Sequence, residues 1–258
     1  MDLQLDGKLA FVSGSTAGIG FAIAESLARE GCRVIINGRT QARVDTALAK
    51  LPGAVGFAAD VGTSAGVAEA VRRFPDVDIL INNMGIFEPK AFEAIPDEDW
   101  FRFFEVNVLS GVRLSRHYLP RMKAAGWGRI VFISSESAVQ IPAEMIHYGM
   151  TKTAQLAIAR GLAETTAGTR VTVNSVLPGP TASEGVEEFV RRLAADQKTD
   201  RAAVEQEFFK NIRPSSLLRR FAIPEEVAAL VTFVASPLSA ATNGAALRVD
   251  GGVVRSII

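Results

Sequence analysis

A tyrosine and a lysine four residues apart, Tyr148 and Lys152, carry side chains that could move a proton. On a helix, residues at this spacing lie on one face, so both side chains point the same way. A phenol is a poor base near neutral pH because its pKa is about 10, and a neighbouring ammonium favours the phenolate. The pair therefore suits proton transfer near pH 7, although such a pair also occurs in many helices with no function.

A serine hydroxyl is expected beside this pair. Ser135 follows the apolar run at residues 129–134, which is typical of a buried strand. A hydroxyl at the end of that strand could bind a substrate oxygen next to Tyr148. The residues expected to shape the substrate pocket around it are Glu136, Ser137, Gln140, Pro142, Glu144 and Met145.

A glycine-rich loop near the start of the chain predicts a phosphate site. An apolar strand at residues 8–13 is followed at once by the loop 14–20 and then by a helix at 21–30. In this context glycines let the backbone approach a pyrophosphate, and the helix N-terminus offers unpaired N–H groups. The loop residues predicted to contact a dinucleotide are Gly14, Ser15, Thr16, Gly18, Ile19 and Gly20.

The second strand is predicted at 33–37, and the residues that follow it distinguish a site for NAD from a site for NADP. A site for NAD usually carries an acidic residue about 20 residues past the glycines, where it binds the ribose hydroxyls. No acidic residue follows this strand before Asp45, and Arg39 stands where a cation could meet a 2′-phosphate. The pattern favours NADP(H), with NAD(H) possible. The alternative for Arg39 is a solvated loop residue.

Strands and helices alternate through the rest of the chain. Further strands are predicted at 54–59, 77–81, 128–134, 170–176 and 245–249. Seven strands with helices between them argue for one doubly wound, parallel α/β domain over residues 1–258. Ligands bind at the strand ends of such sheets. The strand-end residues expected in the cofactor cleft are Asp60, Val61, Asn83 and Gly85, and Asn82 and Asn83 could instead brace neighbouring strands.

An asparagine in a long helix is expected to be partly buried. Asn107 follows Phe103, Phe104 and Val106 in a helix predicted from residue 96 to residue 119. A buried amide must be satisfied, so Asn107 is either a structural bracket or a residue that holds water in the site. The spacing leaves both readings open. His147 points about 100° away from Tyr148 on its helix and is expected to be structural.

Residues 184–220 differ in character from the chain around them. Apolar residues recur every four positions between charged ones, which predicts two amphipathic helices divided near residues 198–200. The segment could be a lid over a substrate cleft, a subunit contact or a surface hairpin. Its arginines, Arg213, Arg219 and Arg220, could attract an anionic substrate or acyl carrier, but a solvated face is the simpler interpretation.

The composition excludes several classes of protein. Lys plus Arg and Asp plus Glu each number 28, so no net charge draws the chain to nucleic acid or an anionic membrane. Neither a signal peptide nor an apolar stretch of about 18 residues is present. Cys32 is the only cysteine, which suits a reducing compartment, and we expect a cytoplasmic protein. No metal site is predicted.

Taken together, these motifs resemble those of the short-chain dehydrogenase/reductase family, in its compact branch. The glycine loop at 13–20 and the segment 82–85 match the family's motifs, with Ser13 where threonine is usual and Met84 in place of alanine. Ser135 lies thirteen residues before Tyr148, a frequent spacing in that family. The resemblance covers nearly the whole chain and implies a Rossmann-type sheet.

The resemblance also implies a mechanism. Tyr148 would give a proton to a carbonyl oxygen or take one from an alcohol, and Ser135 would bind the reacting oxygen. Lys152 would hold the nicotinamide ribose and lower the pKa of the tyrosine, and Asn107 would hold a water in a proton relay. The loop that meets the nicotinamide would contain Pro178, Gly179 and Thr181, and Ser135, Ser137 and Tyr148 would contact the substrate.

The function expected from this resemblance is hydride transfer between NADP(H) and a small carbonyl compound or secondary alcohol. The alternatives are an NAD-dependent alcohol dehydrogenase of the same family and a dinucleotide-binding protein without catalysis. The family further implies a homo-oligomer, a tetramer or a dimer, with the helices of Asn107 and Tyr148 in its interface. Met145, Phe208 and Phe209 hint at an apolar substrate, but the same residues could be core.

Overall fold

The computed structural model describes residues 2–196 and 199–257. Within them, seven parallel strands form one sheet in the order β3-β2-β1-β4-β5-β6-β7. The strands are β1 (Leu9–Val12), β2 (Arg33–Gly38), β3 (Val55–Ala58), β4 (Ile79–Asn82), β5 (Gly128–Ile133), β6 (Val171–Pro178) and β7 (Ala246–Val249). The predicted doubly wound α/β fold is confirmed.

Helices cover both faces of this sheet. They are α1 (Gly18–Arg29), α2 (Gln41–Lys50), α3 (Ser64–Arg73), α4 (Asp97–Phe104), α5 (Ser110–Ala124), α6 (Ile146–Glu164), α7 (Glu184–Asp196), α8 (Arg201–Glu207) and α9 (Pro224–Val234). Helices α1, α2 and α9 pack on one apolar core, and α3, α5 and α6 pack on the other. Strands β5 and β6 are buried along their whole length because both faces are covered, which explains their nearly continuous apolar runs.

The strand order reverses beside β1. The chain builds β1, β2 and β3 in one direction and then returns to place β4 on the other side of β1. The loops that follow β1 and β4 therefore separate at the carboxyl edge of the sheet and leave a crevice between them. The glycine loop lies at this crevice because it directly follows β1.

The helix predicted at 96–119 is interrupted and longer than expected. Helix α4 passes through a π-helical segment, Glu105–Leu109, into α5, and Asn107 lies in that segment. The expected end at Leu119 is wrong, because α5 continues through Pro120 to Ala124. Pro120 cannot donate to the Arg116 carbonyl, and its ring crowds that carbonyl, so the helix loses one hydrogen bond there but continues for one more turn.

Residues 184–220 form the predicted pair of helices. They are α7 and α8, and α8 continues into a second π-helical segment, Phe208–Ile212. The division between the two helices was predicted near residues 198–200, and Lys198 lies outside the described residues. Asp200 caps α8 by accepting a hydrogen bond from the Ala203 N–H at 2.8 Å. The two helices pack around a small apolar core that is separate from the two main cores. In the described part of the chain, no helix combines the length and apolar character needed to cross a bilayer.

Candidate active site

A cavity of about 410 Å³ opens at the carboxyl ends of β4, β5 and β6. The predicted residues that line it are Ile19, Asn83, Gly85, Ser135, Ser137, Tyr148, Lys152, Pro178, Gly179 and Thr181. Other predicted residues do not line it, namely Gly14, Ser15, Thr16, Gly18, Gly20, Arg39, Asp60, Val61 and Asn107. The structure thus brings the tyrosine, the lysine and the serine together beside the start of α1.

The glycine loop forms a cradle that side chains would fill. Gly14 and Gly18 have φ angles of +60° and +57°, which L-residues with side chains rarely adopt. A Cβ atom on Gly20 would overlap the Asn83 amide nitrogen and lie 2.6 Å from the Gly14 carbonyl oxygen. The loop passes directly into the N-terminus of α1, so backbone N–H groups face the space that a pyrophosphate would occupy. These features fit a dinucleotide.

Hydrogen bonds from β4 hold this loop in place. The Asn83 amide donates to the carbonyl oxygens of Ser13 and Gly14, both at 3.0 Å. Ser13 Oγ accepts from the Asn83 and Met84 N–H groups at 2.9 and 3.0 Å. The hydroxyl of serine is therefore sufficient for both hydrogen bonds, and the additional methyl group of threonine is not needed. Asn83 thus braces the end of β1 and also lines the cavity, and its contact with a cofactor stays a prediction. Asn82 likewise donates to Ser115 Oγ at 3.1 Å.

Two predicted cofactor residues turn their polar groups towards the protein. Ser15 Oγ donates to the Val12 carbonyl at 2.7 Å and accepts from the Asn37 N–H at 3.0 Å. Asp60 accepts a hydrogen bond from the Gly62 N–H at 2.9 Å and so closes its own turn. Their hydroxyl and carboxylate therefore stabilise the crevice, and their contacts with a cofactor stay predictions.

The end of β2 carries no acidic residue. Arg39 is exposed directly after this strand and forms no ion pair with the residues that the structure describes. The sequence interpretation missed Asn37, whose buried side chain accepts from the Gly14 N–H at 3.1 Å and donates to Phe57 and Ala59 carbonyls. It also missed Arg43, which pairs with Glu184 of α7 at 2.6 Å. A polar residue at the end of a buried strand was the available signal for Asn37.

Tyr148 and Lys152 share one face of α6, as their spacing predicts. Lys152 Nζ lies 5.6 Å from the centroid of the Tyr148 ring. The lysine is buried and donates to the Ile133 carbonyl at 2.9 Å and to Gln155 Oε1 at 3.3 Å. Burial lowers the pKa of Lys152 to about 8, because the ammonium loses hydration and gains no carboxylate partner.

The tyrosine differs from its expected state. Desolvation and then the nearby Glu136 carboxylate raise the pKa of Tyr148, while a Ser135 hydrogen bond and the Arg213 guanidinium oppose that shift. That Lys152 lowers this pKa stays a prediction, because its ammonium lies 5.6 Å from the ring centroid and its hydrogen bonds to Ile133 and Gln155 leave its charge in place. A phenol with a raised pKa keeps its proton at neutral pH and is suited to donate it.

Ser135 is held at the end of β5 by its neighbours. Its hydroxyl donates to Glu136 Oε2 at 2.5 Å and accepts from the Ser137 N–H at 3.1 Å. Both Ser135 and Glu136 are buried. The serine hydroxyl therefore touches a carboxylate directly, a contact that the sequence interpretation did not predict.

Asn107 acts as a structural bracket in this structure. Its side chain accepts from the Ile86 N–H at 2.7 Å and donates to the Ile86 carbonyl and to Thr151 Oγ1 at 3.0 Å. Its backbone carbonyl accepts from Gln155 Nε2 at 2.6 Å. Gln155, which the sequence interpretation missed, therefore links Asn107 to Lys152. Its signal was a polar residue three positions after Lys152 on a buried helix face. The role of Asn107 in holding a water stays a prediction.

His147 is buried against aromatic rings and not against the reacting groups. Its ring centroid lies 4.1 Å from that of Phe103, and neither ring nitrogen has a hydrogen-bond partner among the described residues. Burial lowers the pKa of His147, so the imidazole is neutral near pH 7. Its predicted structural role fits this environment.

The rest of the cavity lining is apolar, apart from a charged cluster next to Ser135. Met145 and Phe208 line it, together with Phe87, Val186, Ile212 and Phe221, whereas Phe209 belongs to the core of the helix pair. The interpretation of the arginines as a solvated face is wrong for Arg213, which is 8% exposed and pairs with Glu136 and Glu144. Folding brings Arg213 against residues 69 and 77 positions away. Arg220 pairs with Glu226 at the surface.

Comparisons with known proteins agree with this architecture. A family model described as enoyl-(acyl carrier protein) reductase matches residues 14–254. The oxidoreductase YvaG of Bacillus subtilis is 52% identical, and the match covers 100% of both chains. D-β-hydroxybutyrate dehydrogenase of Cupriavidus necator is 33% identical over 97% of this chain and 99% of its own.

A solved structure is also closely similar. It is L-sorbose reductase of Gluconobacter frateurii in complex with NADPH and L-sorbose. The two chains superpose with a TM-score of 0.94 at 32% identity, and the match covers 100% of each.

Proposed function

The chain belongs to the short-chain dehydrogenase/reductase family of NAD(P)-dependent enzymes, and from this premise we propose that it reduces a carbonyl group with NADPH. The observation that carries the proposal is the convergence of Ser135, Tyr148 and Lys152 on one cavity beside the glycine loop. A proton donor, a hydroxyl for the reacting oxygen and a dinucleotide cradle are the parts that such a reduction needs.

Each side chain has a distinct task in this proposal. When bound, the nicotinamide supplies the hydride for the carbonyl carbon. Tyr148 donates a proton to the carbonyl oxygen as negative charge develops there, and Ser135 orients that oxygen after its O–H turns from Glu136 Oε2 towards the substrate. Lys152 and the loop at 14–20 hold the cofactor, and the loop with Pro178 and Gly179 closes the site beside the reacting carbons.

At neutral pH the tyrosine is in the protonation state that reduction requires. Desolvation and Glu136 raise the pKa of Tyr148, so the phenol is protonated before the substrate arrives. Alcohol oxidation would need the phenolate and therefore a more alkaline solution. NADPH-dependent reduction is also the chemistry of the similar L-sorbose reductase, whose structure was solved with that cofactor.

We expect Arg39→Ala to weaken NADPH binding about tenfold, equal to about 1.4 kcal/mol, and to leave NADH binding unchanged. The reason is that Arg39 follows β2, where an acidic residue would bind the ribose of NAD and a cation would bind a 2′-phosphate. Titrations with both nucleotides, followed by nicotinamide fluorescence, measure the two affinities. Arg33→Ala is the matched control, because Arg33 is exposed at the opposite end of the same strand.

The same titrations distinguish the alternatives. Tighter binding of NADH by the unmodified protein would contradict the NADP(H) preference and favour an NAD-dependent alcohol dehydrogenase. NADPH binding without turnover on a broad panel of ketones and alcohols would favour a dinucleotide-binding protein without catalysis. Binding of neither nucleotide would overturn the proposed function.

A homo-oligomer is also proposed, and a cytoplasmic location stays a prediction. Phe101 is 75% exposed and Phe104 is 38% exposed on α4, and such apolar side chains are suited to a subunit contact. Light scattering of the purified protein should give a multiple of its 27.5 kDa mass, and Phe101→Glu should lower that multiple. A monomer at micromolar concentration would contradict this expectation.

A further inference from the structure

We propose that the cluster of Glu136, Arg213 and Glu144 makes the cavity selective for neutral carbonyl compounds and excludes carboxylates and phosphates. This inference rests on the proposed function and specifies the substrate class of the same site. The three side chains line the end of the cavity that adjoins Ser135.

Arg213 is already bound on the sides that an anion would need. Its Nε donates to Glu136 Oε1 at 3.2 Å, and its Nη1 donates to Glu144 Oε1 at 3.2 Å and to the Ile212 carbonyl at 3.0 Å. Arg213 and Glu136 are 8% and 5% exposed, so this ion pair is largely removed from water. Among the described residues Nη2 has no partner, but each edge that could bind a carboxylate through two N–H groups includes Nε or Nη1, which are already occupied.

The cluster of Glu136, Arg213 and Glu144 carries one excess negative charge. Two carboxylates face one guanidinium there, and the only other charged lining residue in the described chain is Lys152. Lys152 donates to the Ile133 carbonyl and to Gln155, and in the proposed function its remaining N–H group serves the cofactor. The remaining arginines of this region bind elsewhere, because Arg219 donates to the Phe209 carbonyl and Arg220 pairs with Glu226.

An anionic substrate would therefore meet two obstacles. Its charge would lie against a cluster with an excess negative charge, and like charges repel strongly where water is excluded. To bind Arg213 through two N–H groups it would have to displace Glu136 or Glu144, and displacing Glu136 would leave a buried carboxylate without its cation. A neutral ketone meets neither obstacle, and any hydroxyl that it carries can donate to the carboxylate oxygens.

The cluster acts at the reacting centre because its Glu136 is hydrogen-bonded to Ser135. Glu136 Oε2 accepts the hydrogen bond of the Ser135 hydroxyl, and Ser135 is the residue expected to bind the carbonyl oxygen. An acid group close to the ketone, as in a 3-oxo acid, would thus lie near Glu136. The inference separates this chain from the similar D-β-hydroxybutyrate dehydrogenase, whose named substrate is a carboxylate.

The test compares ketones that share a carbon skeleton and differ by one negative charge. Reduction by NADPH is measured for ethyl acetoacetate against acetoacetate, and for methyl pyruvate against pyruvate. We expect kcat/KM to be about 100-fold higher for the neutral member of each pair. Glu144→Gln removes one carboxylate from the cluster and should narrow that ratio about tenfold.

A matched control isolates the cluster from a general effect of charge. Glu164→Gln also removes a carboxylate that forms an ion pair with an arginine. The partner is Arg160, on the exposed end of α6. It should leave the ratio unchanged. Equal reduction of the neutral and anionic members by the unmodified enzyme would overturn the inference. A ratio that Glu144→Gln does not alter would also overturn it. Neither result would contradict the proposed reductase function. Bound NADPH with no reduction of any ketone would overturn the proposed function itself.

Discussion

Tyr148→Phe is expected to lower kcat by about 10²- to 10⁴-fold, because a positioned acid contributes rate enhancement of that size. The substitution removes one oxygen and keeps the ring, which packs edge-on to Phe87 with centroids 6.4 Å apart. NADPH affinity should change little, since the loop at 14–20 holds most of the cofactor. The measurement is steady-state turnover of the best ketone, with NADPH binding followed separately by fluorescence.

The other tyrosine of the chain provides the control. Tyr118 is buried, and its hydroxyl donates to the Phe74 carbonyl at 2.8 Å, far from the cavity. Tyr118→Phe should cost about 1 kcal/mol of stability through the lost hydrogen bond and should leave kcat unchanged. Full turnover by Tyr148→Phe would mean that the proton comes from another group, and a loss in both variants would point to damaged folding.

Gly20→Ala is expected to weaken NADPH binding about 10²-fold, because a displacement of about 1 Å at a binding site can have an effect of that size. The added Cβ would overlap the Asn83 amide nitrogen and lie 2.6 Å from the Gly14 carbonyl oxygen. The loop must move to relieve these contacts, and overpacking of this kind costs about 1–3 kcal/mol of stability. Fluorescence titration and thermal unfolding measure the two effects.

A helical glycine gives the matched comparison. Gly161 is exposed on α6, and a Cβ there would meet no atom within 4 Å. Gly161→Ala should therefore raise the free energy of unfolding by about 0.5–1 kcal/mol and leave NADPH affinity unchanged. Normal NADPH binding by Gly20→Ala would show that the loop does not form the pyrophosphate cradle.

Local patterns were sufficient for the sheet and for the proximity of the main polar residues. Strands β5 and β6 are apolar along their length because helices cover both faces, so their position could be read directly. The spacing of four between Tyr148 and Lys152 placed them on one helix face. Ser135 could be placed because it follows a strand whose end must open at the edge of a parallel sheet.

Contacts between distant segments could not be predicted in this way. Arg213 meets Glu136 across 77 positions, and its burial depends on how α8 returns to the end of β5. The raised pKa of Tyr148 could not be predicted, because spacing alone does not show that the phenol is buried or that the Glu136 carboxylate lies near it. Spacing likewise does not show that Gln155 reaches the Asn107 carbonyl 48 positions away.

A π-helical segment, Glu105–Leu109, joins α4 to α5. The number of residues in this segment therefore cannot change without altering the helix. A π-helical turn accommodates one more residue than an α-helical turn, so loss of one residue would let the whole helix become regular. The flanking parts of the helix would keep their relative orientation, because the π-helical turn already absorbs the extra residue, and the change would fall on the residues inside the segment. Asn107 could then no longer meet Ile86 and Thr151 together. Substitutions can be absorbed along this helix, but a change of length by a single codon would separate the amide from both partners.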